Sequence, residues 1–514
     1  MDDFHQEFED LFHYAFGFDW GTSYSLMAAK NHTQPPAVPN YSPENRNGVP
    51  SLFYRDAEGR EYCAEKAKGP GRADPANLCR SVKMKLDGED IVLNGHSYAP
   101  KEIAVKLVRS ILQSSQKAFE EDYIDFDPAS AQLVCGVPVR FNAAKRGQVR
   151  EIMLEATGAA SVRLVSEPIL AAVAYNYFMK RQTAQPILCF DVGAGTSDFC
   201  VLRRTVNGPE PYEVCPGADG LLVAGDRLDE ITAELILEKL RQNPGALDPA
   251  VFTDPGRRAD HSHLLDQARE MKEALSDNEF NTMPITTADG SRSGSVTVTR
   301  AEFEERIRPL ITEMADMAEQ VLHAAGLGEK PDIRIQLMGG SCYIPLIRQL
   351  LQERFSWVQN IELRKPQQMV ALGAALYAEM PAMLQPKVAF GYAVGTHHSN
   401  REVLDVRIPS DAKLPSIIQG YYATRYDNQT CVTFHIYEVD HGSVGEYLDP
   451  EQGRKMGGDY FINHDFRRPV PKGTTVLLTT ELNTDGVLTM KVDDIDVTGE
   501  VTSKTFTLAN TGTV

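Results

Sequence analysis

Positive charge is in deficit in this chain: 52 Lys and Arg stand against 71 Asp and Glu over 514 residues, a formal charge of -19. That balance argues against a nucleic-acid backbone or an anionic membrane as partner, so any anionic ligand must be held locally. Long apolar runs are also missing, since no segment approaches the roughly 18 to 20 consecutive apolar residues of a membrane span. The N-terminal "MDDFHQEFEDLFHYAF" is acidic where a signal peptide would be basic. The eight cysteines (63, 79, 135, 189, 200, 215, 342 and 431) form no C-x-x-C pair, and several sit in apolar runs such as "ILCF" and "DFCVL". They read as buried free thiols of a reducing compartment rather than a disulfide framework. A soluble, cytoplasmic protein without nucleic-acid or membrane partners is therefore expected.

What is present is enough for several cores. The length suggests roughly three or four domain-sized units, and 42% apolar content is an ordinary globular value. The sequence "ILCFDVGAGTSDFCVL" (187–202) runs apolar into Asp191, breaks on glycines and a Thr-Ser pair, meets Asp198 and turns apolar again. "AFGFDWGTSYSLMAA" (15–29) does the same around Asp19. Glycine accepts the tight turn between two strands at little cost. Either turn alone could be an unrelated hairpin, because Asp, Gly, Thr and Ser are ordinary turn residues. Two of them about 170 residues apart read as one element used twice.

Around these turns, strands and helices alternate. A helix is expected over 99–120, a buried strand over 131–139 ending at Pro138, and a helix closing at Gly158. "VRLVSEPILAAVAYNYFM" follows as strand, turn and Ala-rich helix. Residues 226–278 read as helical and 279–298 as strand-like. Thr299 with Glu302 forms a capping box for a long helix that ends near Gly326, with a bend at Pro309. In 332–355 a strand meets a Gly-Gly-Ser turn and a helix, with Ser341 as its N-cap and Pro345 in its first turn. Such alternation indicates an α/β fold covered on both faces. From about 385 the texture becomes β-rich with turn dipeptides such as Asp485-Gly486, so an all-β, sandwich-like module with almost no helix is expected there.

Three glycine turns, at Gly21, at Gly193 to Gly195 and at Gly339 with Gly340, each end a strand of the α/β part, where open sheets bind ligands. Exposed amides at such turns hold phosphate. Asp19 and Asp191 repel phosphate, so a divalent cation must lie between them and it; magnesium, which keeps most of its waters, suits two carboxylates touching its water shell. Hydrolysing a terminal phosphate then needs a carboxylate that orients water and a cation that meets developing charge. Glu167, after a buried strand, and Lys83, in "CRSVKMKL", are the candidates. By residue type alone, Glu167 reads equally as an exposed helix-start acid. Lys83 reads more readily as a solvated surface charge.

"FGFDWGTSYS", "VPVRFNAAKRGQ", "VSEPILAAVAYNY", "CFDVGAGTSDF", "MGGSCYIPLI" and "ALGAALYA" occur in the order and spacing of the nucleotide-binding domain of the seventy-kilodalton heat-shock chaperones, and 15–380 resembles that domain. Downstream, "YDNQTCVTFHI" and its flanks resemble the family's β-sandwich peptide-binding domain. The resemblance implies an actin-like ATPase fold of duplicated ribonuclease H-like halves over 1–384, with a peptide-binding β-sandwich over 385–514. It implies ATP or ADP with Mg2+ as cofactors and unfolded apolar peptides as partners. J-domain co-chaperones and nucleotide exchange factors serve the family, and the sequence leaves open whether this chain has either.

Residue by residue, the resemblance puts Asp19, Glu167 and Asp191 around magnesium and the attacking water, and Lys83 on the catalytic lysine. Gly21, Thr22, Ser23 and Tyr24 fall on the first phosphate loop, and Gly193, Ala194, Gly195, Thr196 and Asp198 on the second. Gly225 is a further phosphate-side glycine. Lys272, Ser276, Gly340 and Ser341 fit the adenosine side, and Gly339 is expected to bind the nucleotide with them. Pro138 and Arg146 match the relay to the partner domain, and Tyr422, Val432 and Phe434 match the peptide groove. Ordinary sandwich core is the competing reading for those three.

Departures exist: Arg269 stands where the family usually has Glu, Tyr343 replaces an arginine against adenine, and Gln367 replaces an Asp. An aromatic ring at Tyr343 offers stacking instead. The family's apolar-acidic linker is not recognisable in "PAMLQPKVAFGYAVG", which puts interdomain coupling in doubt. The sequence stops at Val514 without a helical lid, so a peptide held by the sandwich alone is expected to leave faster. Two rivals stay open on the residues: a small-metabolite kinase, and an actin-like assembly ATPase.

Overall fold

The computed structural model describes residues 14–31, 34–41, 48–159, 162–179, 185–204, 212–242, 247–379, 391–399, 401–410, 412, 415–455, 461–483, 487–495 and 501–507. Its α/β part contains the same sheet twice. In the first sheet, Ala15–Asp19 pairs antiparallel with Tyr24–Lys30 and parallel with Gln132–Val137, which pairs with Arg163–Ser166. In the second, Ile187–Val192 pairs antiparallel with Ser197–Arg204 and parallel with Arg334–Met338, which pairs with Ile361–Leu363. A hairpin whose first strand leads on to two parallel strands is thus built twice in the same order. The echo between the two Asp-Gly turns is a duplication of topology.

Two apolar, alanine-rich helices join the halves. Glu167–Met179 and Met369–Glu379 are buried on nearly every face and share one core with both sheets. A side chain on Gly373 would begin 1.8 Å from the Leu170 carbonyl oxygen, so these helices meet backbone to backbone. Each half keeps its own core: Phe16, Phe18, Trp20 and Phe53 anchor one, and Phe190, Phe199, Phe252 and Phe303 the other.

Most element boundaries fall where periodicity puts them. Pro100–Glu121 is a helix with proline in its first turn, and Ala143–Thr157 ends on Gly158 in the left-handed region. Thr299 and Glu302 form the reciprocal cap of Arg300–Ala324, which runs on through Pro309. Ser341 is a correction. The helix Pro345–Arg354 starts after Ile344, with no side-chain cap. Ser341 instead lies in a short 3-10 turn, and its hydroxyl donates to the Gly193 carbonyl at 3.0 Å.

From Gly391 the described chain is strands, with a lone 3-10 turn at Pro450–Gln452. One sheet carries Gly391–His398, Arg401–Ile408, Gln429–Val439 and Phe461–Val470; the other carries Ser416–Ala423, Thr475–Leu482, Leu488–Ile495 and Val501–Thr507. Tyr392, Ile436, Leu478 and Met490 fill the space between them, and Ala144 of the helix Ala143–Thr157 is buried in the same cluster. The boundary at 384/385, most of the linker stretch and the Asp485-Gly486 turn lie outside the described residues.

Candidate active site

A cleft of about 510 Å³ opens where the two glycine hairpins face each other. The first turn is anchored by Ser51, whose hydroxyl donates to the Gly21 carbonyl at 2.9 Å and whose amide donates to that of Ser23 at 2.8 Å. The second is clamped from three sides. The Gly193 amide reaches Thr196 across the turn at 3.0 Å, the Gly225 amide donates to the Gly193 carbonyl at 3.1 Å, and Ser341 takes that same carbonyl. Gly339 has a φ of 78°, and a side chain there would begin 2.6 Å from an Asp191 carboxylate oxygen. Only glycine fits the third turn that close to the acid.

The expected residues come together in this cleft. Asp19, Gly21, Thr22, Ser23, Tyr24, Lys83, Glu167, Asp191, Gly193, Ala194, Thr196 and Asp198 line it, together with Pro138. Gly225, Lys272, Ser276, Gly339, Gly340, Ser341 and Tyr343 line the same cleft, Gly339 against Asp191, and Gly225 and Ser341 bonded to the Gly193 carbonyl. Gly195 is not in the wall itself; its position packs against the Thr22 methyl group. Arg146 stands one layer behind, buried, donating to the Phe141 carbonyl at 3.0 Å and to the Ser166 hydroxyl at 2.9 Å, next to Glu167.

Lys83 and Glu167 form an ion pair at 2.9 Å, their side chains only 4% and 14% exposed. The solvated-lysine and exposed-acid readings are thereby overturned. Eighty-four residues of chain separate the partners, which only the tertiary fold joins. Burial works against the Lys83 ammonium, but Glu167 and then Asp19 more than offset it and raise its pKa above the ordinary value. The carboxyls around it move the other way from the usual paired acid. Burial first, then Glu167, push Asp19 up to about 7. Burial and Glu167 push Asp198 up to about 6, and Asp191 is driven well above its ordinary range by burial and three neighbouring acids. This end of the cleft holds more negative charge than its lysine answers.

That imbalance fits a cation. No group of three or more His, Cys, Asp or Glu that would cage a metal exists among the described residues. A pair of aspartates is the donor set that magnesium uses when waters and phosphates complete its shell. Also in the cleft wall, Arg269 bonds Asp229 at 2.9 Å and Asp226 at 3.3 Å, and Lys272 pairs with Asp229 at 2.6 Å. Burial opposes the Arg269 charge, and Asp229 followed by Asp226 overrides it. The arginine that departs from the family pattern thus has local counter-charges. The Tyr343 ring is 44% exposed at the cleft mouth, and the Gln367 carboxamide lies over Gly340.

The family model described as Hsp70 protein matches residues 77–507. The chain belongs to the Hsp70 family. It is 26% identical over 531 aligned positions to the chaperone protein dnaK of Cyanidioschyzon merolae, with 96% of this chain and 82% of that protein covered. The duplicated sheets around the cleft are therefore the actin-like ATPase fold of the Hsp70 proteins, and the chain is an Hsp70-type chaperone. Neither comparison favours the kinase reading.

In the Hsp70 sandwich the three expected groove residues are neighbours. The Tyr422 ring meets Phe434 edge-on at 4.9 Å, and Val432 packs half-buried on the same core. Phe434 is 3% exposed and belongs to that core, so in this conformation it offers no open surface. The Tyr422 hydroxyl donates to Asp405 at 2.5 Å, and Arg407 reaches the same carboxylate oxygen at 3.3 Å. Sequence reasoning missed this buried Asp405–Arg407 pair. It also missed Asp229, which a search for acids opposite the unusual Arg269 would have found, and Arg140, which lines the cleft two residues past Pro138. No helix among the described residues is long and apolar enough to cross a membrane.

Proposed function

We propose that this chain hydrolyses ATP to ADP and phosphate with magnesium, and that its nucleotide state tunes binding of extended apolar peptides by the β module. The observation that carries the reading is the Lys83–Glu167 pair set among Asp19, Asp191 and Asp198 on a floor of glycine turns. A triphosphate tail lies along the turns of Gly21 to Tyr24 and Gly193 to Thr196, gripped by main-chain amides. Asp19 and Asp191 would hold magnesium through its waters, which would supply charge neutralisation at the phosphate oxygens. Glu167 orients the attacking water, while Lys83 meets charge on the transferring phosphoryl group. Tyr343 stacks on the base. Thr196, whose hydroxyl bonds Asp198, fixes that acid beside the reacting end.

Under this reading 1–384 is the nucleotide-binding domain and 385–514 the peptide-binding one. Pro138 in the cleft wall and Arg146 behind it lead toward Ala144, which touches the sandwich core. Tyr422 and Val432 border the peptide, which takes main-chain bonds at a strand edge. All eight cysteines are free, in keeping with a reducing, cytoplasmic setting. The test is release of phosphate from ATP with and without magnesium, together with dissociation of a fluorescent apolar peptide in ATP and in ADP. A magnesium-dependent ATPase with nucleotide-dependent peptide release supports the proposal. Absence of hydrolysis sinks its first half, and equal peptide release rates sink its second.

A further inference from the structure

Among the described residues, five cations line the cleft: Lys83, Arg140, Lys145, Arg269 and Lys272. Four are already answered by protein carboxylates, Lys83 by Glu167, Lys145 by Asp87 at 3.0 Å, and Arg269 and Lys272 by Asp229. Arg140 is the exception: among the described residues no carboxylate comes within ion-pair distance of it, although its charge acts on Asp198. Its position is defined. It follows the strand Gln132–Val137, and its Nη1 lies 3.2 Å from where a side chain on Gly220 would begin; Gly220 is the strand partner of Asp198.

Beside it a second, small cavity of about 10 Å³ lies behind the acids, lined by Pro138, Arg140, Glu167, Asp191, Asp198 and Asp219 among others. The main cleft shares the first five of these residues, so the two spaces adjoin at the reacting end. A volume of that size holds about one water. A planar guanidinium whose donors are not taken up by protein acids matches the oxygens of a phosphoryl group, which it binds in two-pronged fashion.

We propose that Arg140 is a ligand of the terminal phosphoryl group and, after hydrolysis, of the free inorganic phosphate, its guanidinium holding the anion at the part of the cleft wall it shares with Asp198 and offsetting the repulsion of that acid. The proposal rests on the ATPase reading. Arg140 then sets the preference for ATP over ADP and the retention of phosphate, and leaves adenosine binding, assigned to Tyr343 and Ser276, alone.

Calorimetry on the full chain with Mg2+ tests this, using ADP, a non-hydrolysable ATP analogue, and inorganic phosphate added to the ADP-loaded protein. For Arg140→Gln, ADP affinity should stay within about twofold, while affinity for the analogue and for phosphate each falls about tenfold or more, as expected when a charge-assisted contact is lost. Arg140→Lys should recover part of the phosphate affinity, because a point charge remains without the fork. Unchanged ADP binding also reports that the variants are folded. Analogue and phosphate binding equal to wild type in both variants overturns the Arg140 assignment alone. A wild-type chain that binds neither ADP nor the analogue overturns the ATPase reading and this inference together.

Discussion

The cleft and the sandwich both bury charge, with opposite consequences. In the cleft, Asp19, Asp191 and Asp198 are pushed toward their neutral forms by burial first and then by Glu167, and the cations that oppose this are Lys83, already paired with Glu167, and, at Asp198, Arg140. In the sandwich, Asp405 and Arg407 are 6% and 4% exposed, and they answer each other, with the Tyr422 hydroxyl on the same carboxylate. His464 and Asp494 are a second buried polar pair there, hydrogen-bonded at 2.9 Å. Unmatched buried charge is a place for a ligand, whereas matched buried charge is architecture.

The largest expected effect breaks the cleft's side of this contrast. Glu167→Gln and Lys83→Ala should slow single-turnover hydrolysis by about 10²- to 10³-fold and change ATP affinity by only a few-fold, because both groups act on water placement or transition-state charge. Equal losses in binding and rate would show that the pair merely shapes the site. Asp191→Asn should shift the magnesium titration of ATP binding to higher concentration, and an unmoved titration would count against the cation placed between the acids.

Next comes the sandwich. Asp405→Ala leaves Arg407 buried without its counter-ion, and loss of one partner of such a pair costs about 3 kcal/mol or more. Urea unfolding of the β module should register that loss while ATP hydrolysis stays within about twofold. The double replacement Asp405→Leu with Arg407→Met removes both charges and should restore most of the stability. A double variant as unstable as the single one would mean that the pair is more than mutual neutralisation.

How far the sequence reveals each region follows from the same distinction. The two hairpins are legible because their signal is local: an apolar strand, an aspartate, glycines and Thr-Ser within a few residues. The capping box at Thr299 and the stop at Gly158 are local too. Lys83 is not, since its partner lies on another sheet edge and no spacing announces it. Ser341 misleads because its hydroxyl finds the Gly193 carbonyl on the turn after the neighbouring strand rather than the helix that follows. The pair Asp405–Arg407 gives no local signal, because the face of its strand is covered by Tyr422 and by Gly420, where a side chain would begin 2.6 Å from the Arg407 guanidinium. Burial of that face is decided by the other sheet. Arg140 is harder still, because its interest lies in which acids fail to reach it.

The smallest effect falls where the two regions meet. Glu438, on the strand Gln429–Val439, is pushed up to about 7, chiefly by burial, with Arg454 and, from the cleft side, Lys145 pulling against it and Asp440 adding to it. One of its carboxyl oxygens is buried without a hydrogen bond. Between pH 4.5 and 7 the folded chain keeps a proton that the unfolded chain has released. The contribution is therefore fully present below pH 4.5 and lost as pH rises through 7. Glu438→Gln carries no such proton, so its stability relative to wild type should grow from near zero at pH 4.5 to about 3 kcal/mol at pH 8. Paired denaturation curves across that range measure it. Growth of the difference places Glu438 with the cleft's unmatched acids; parallel stabilities at every pH would place it with the matched pairs of the sandwich, neutralised by Lys145 and Arg454 across the junction.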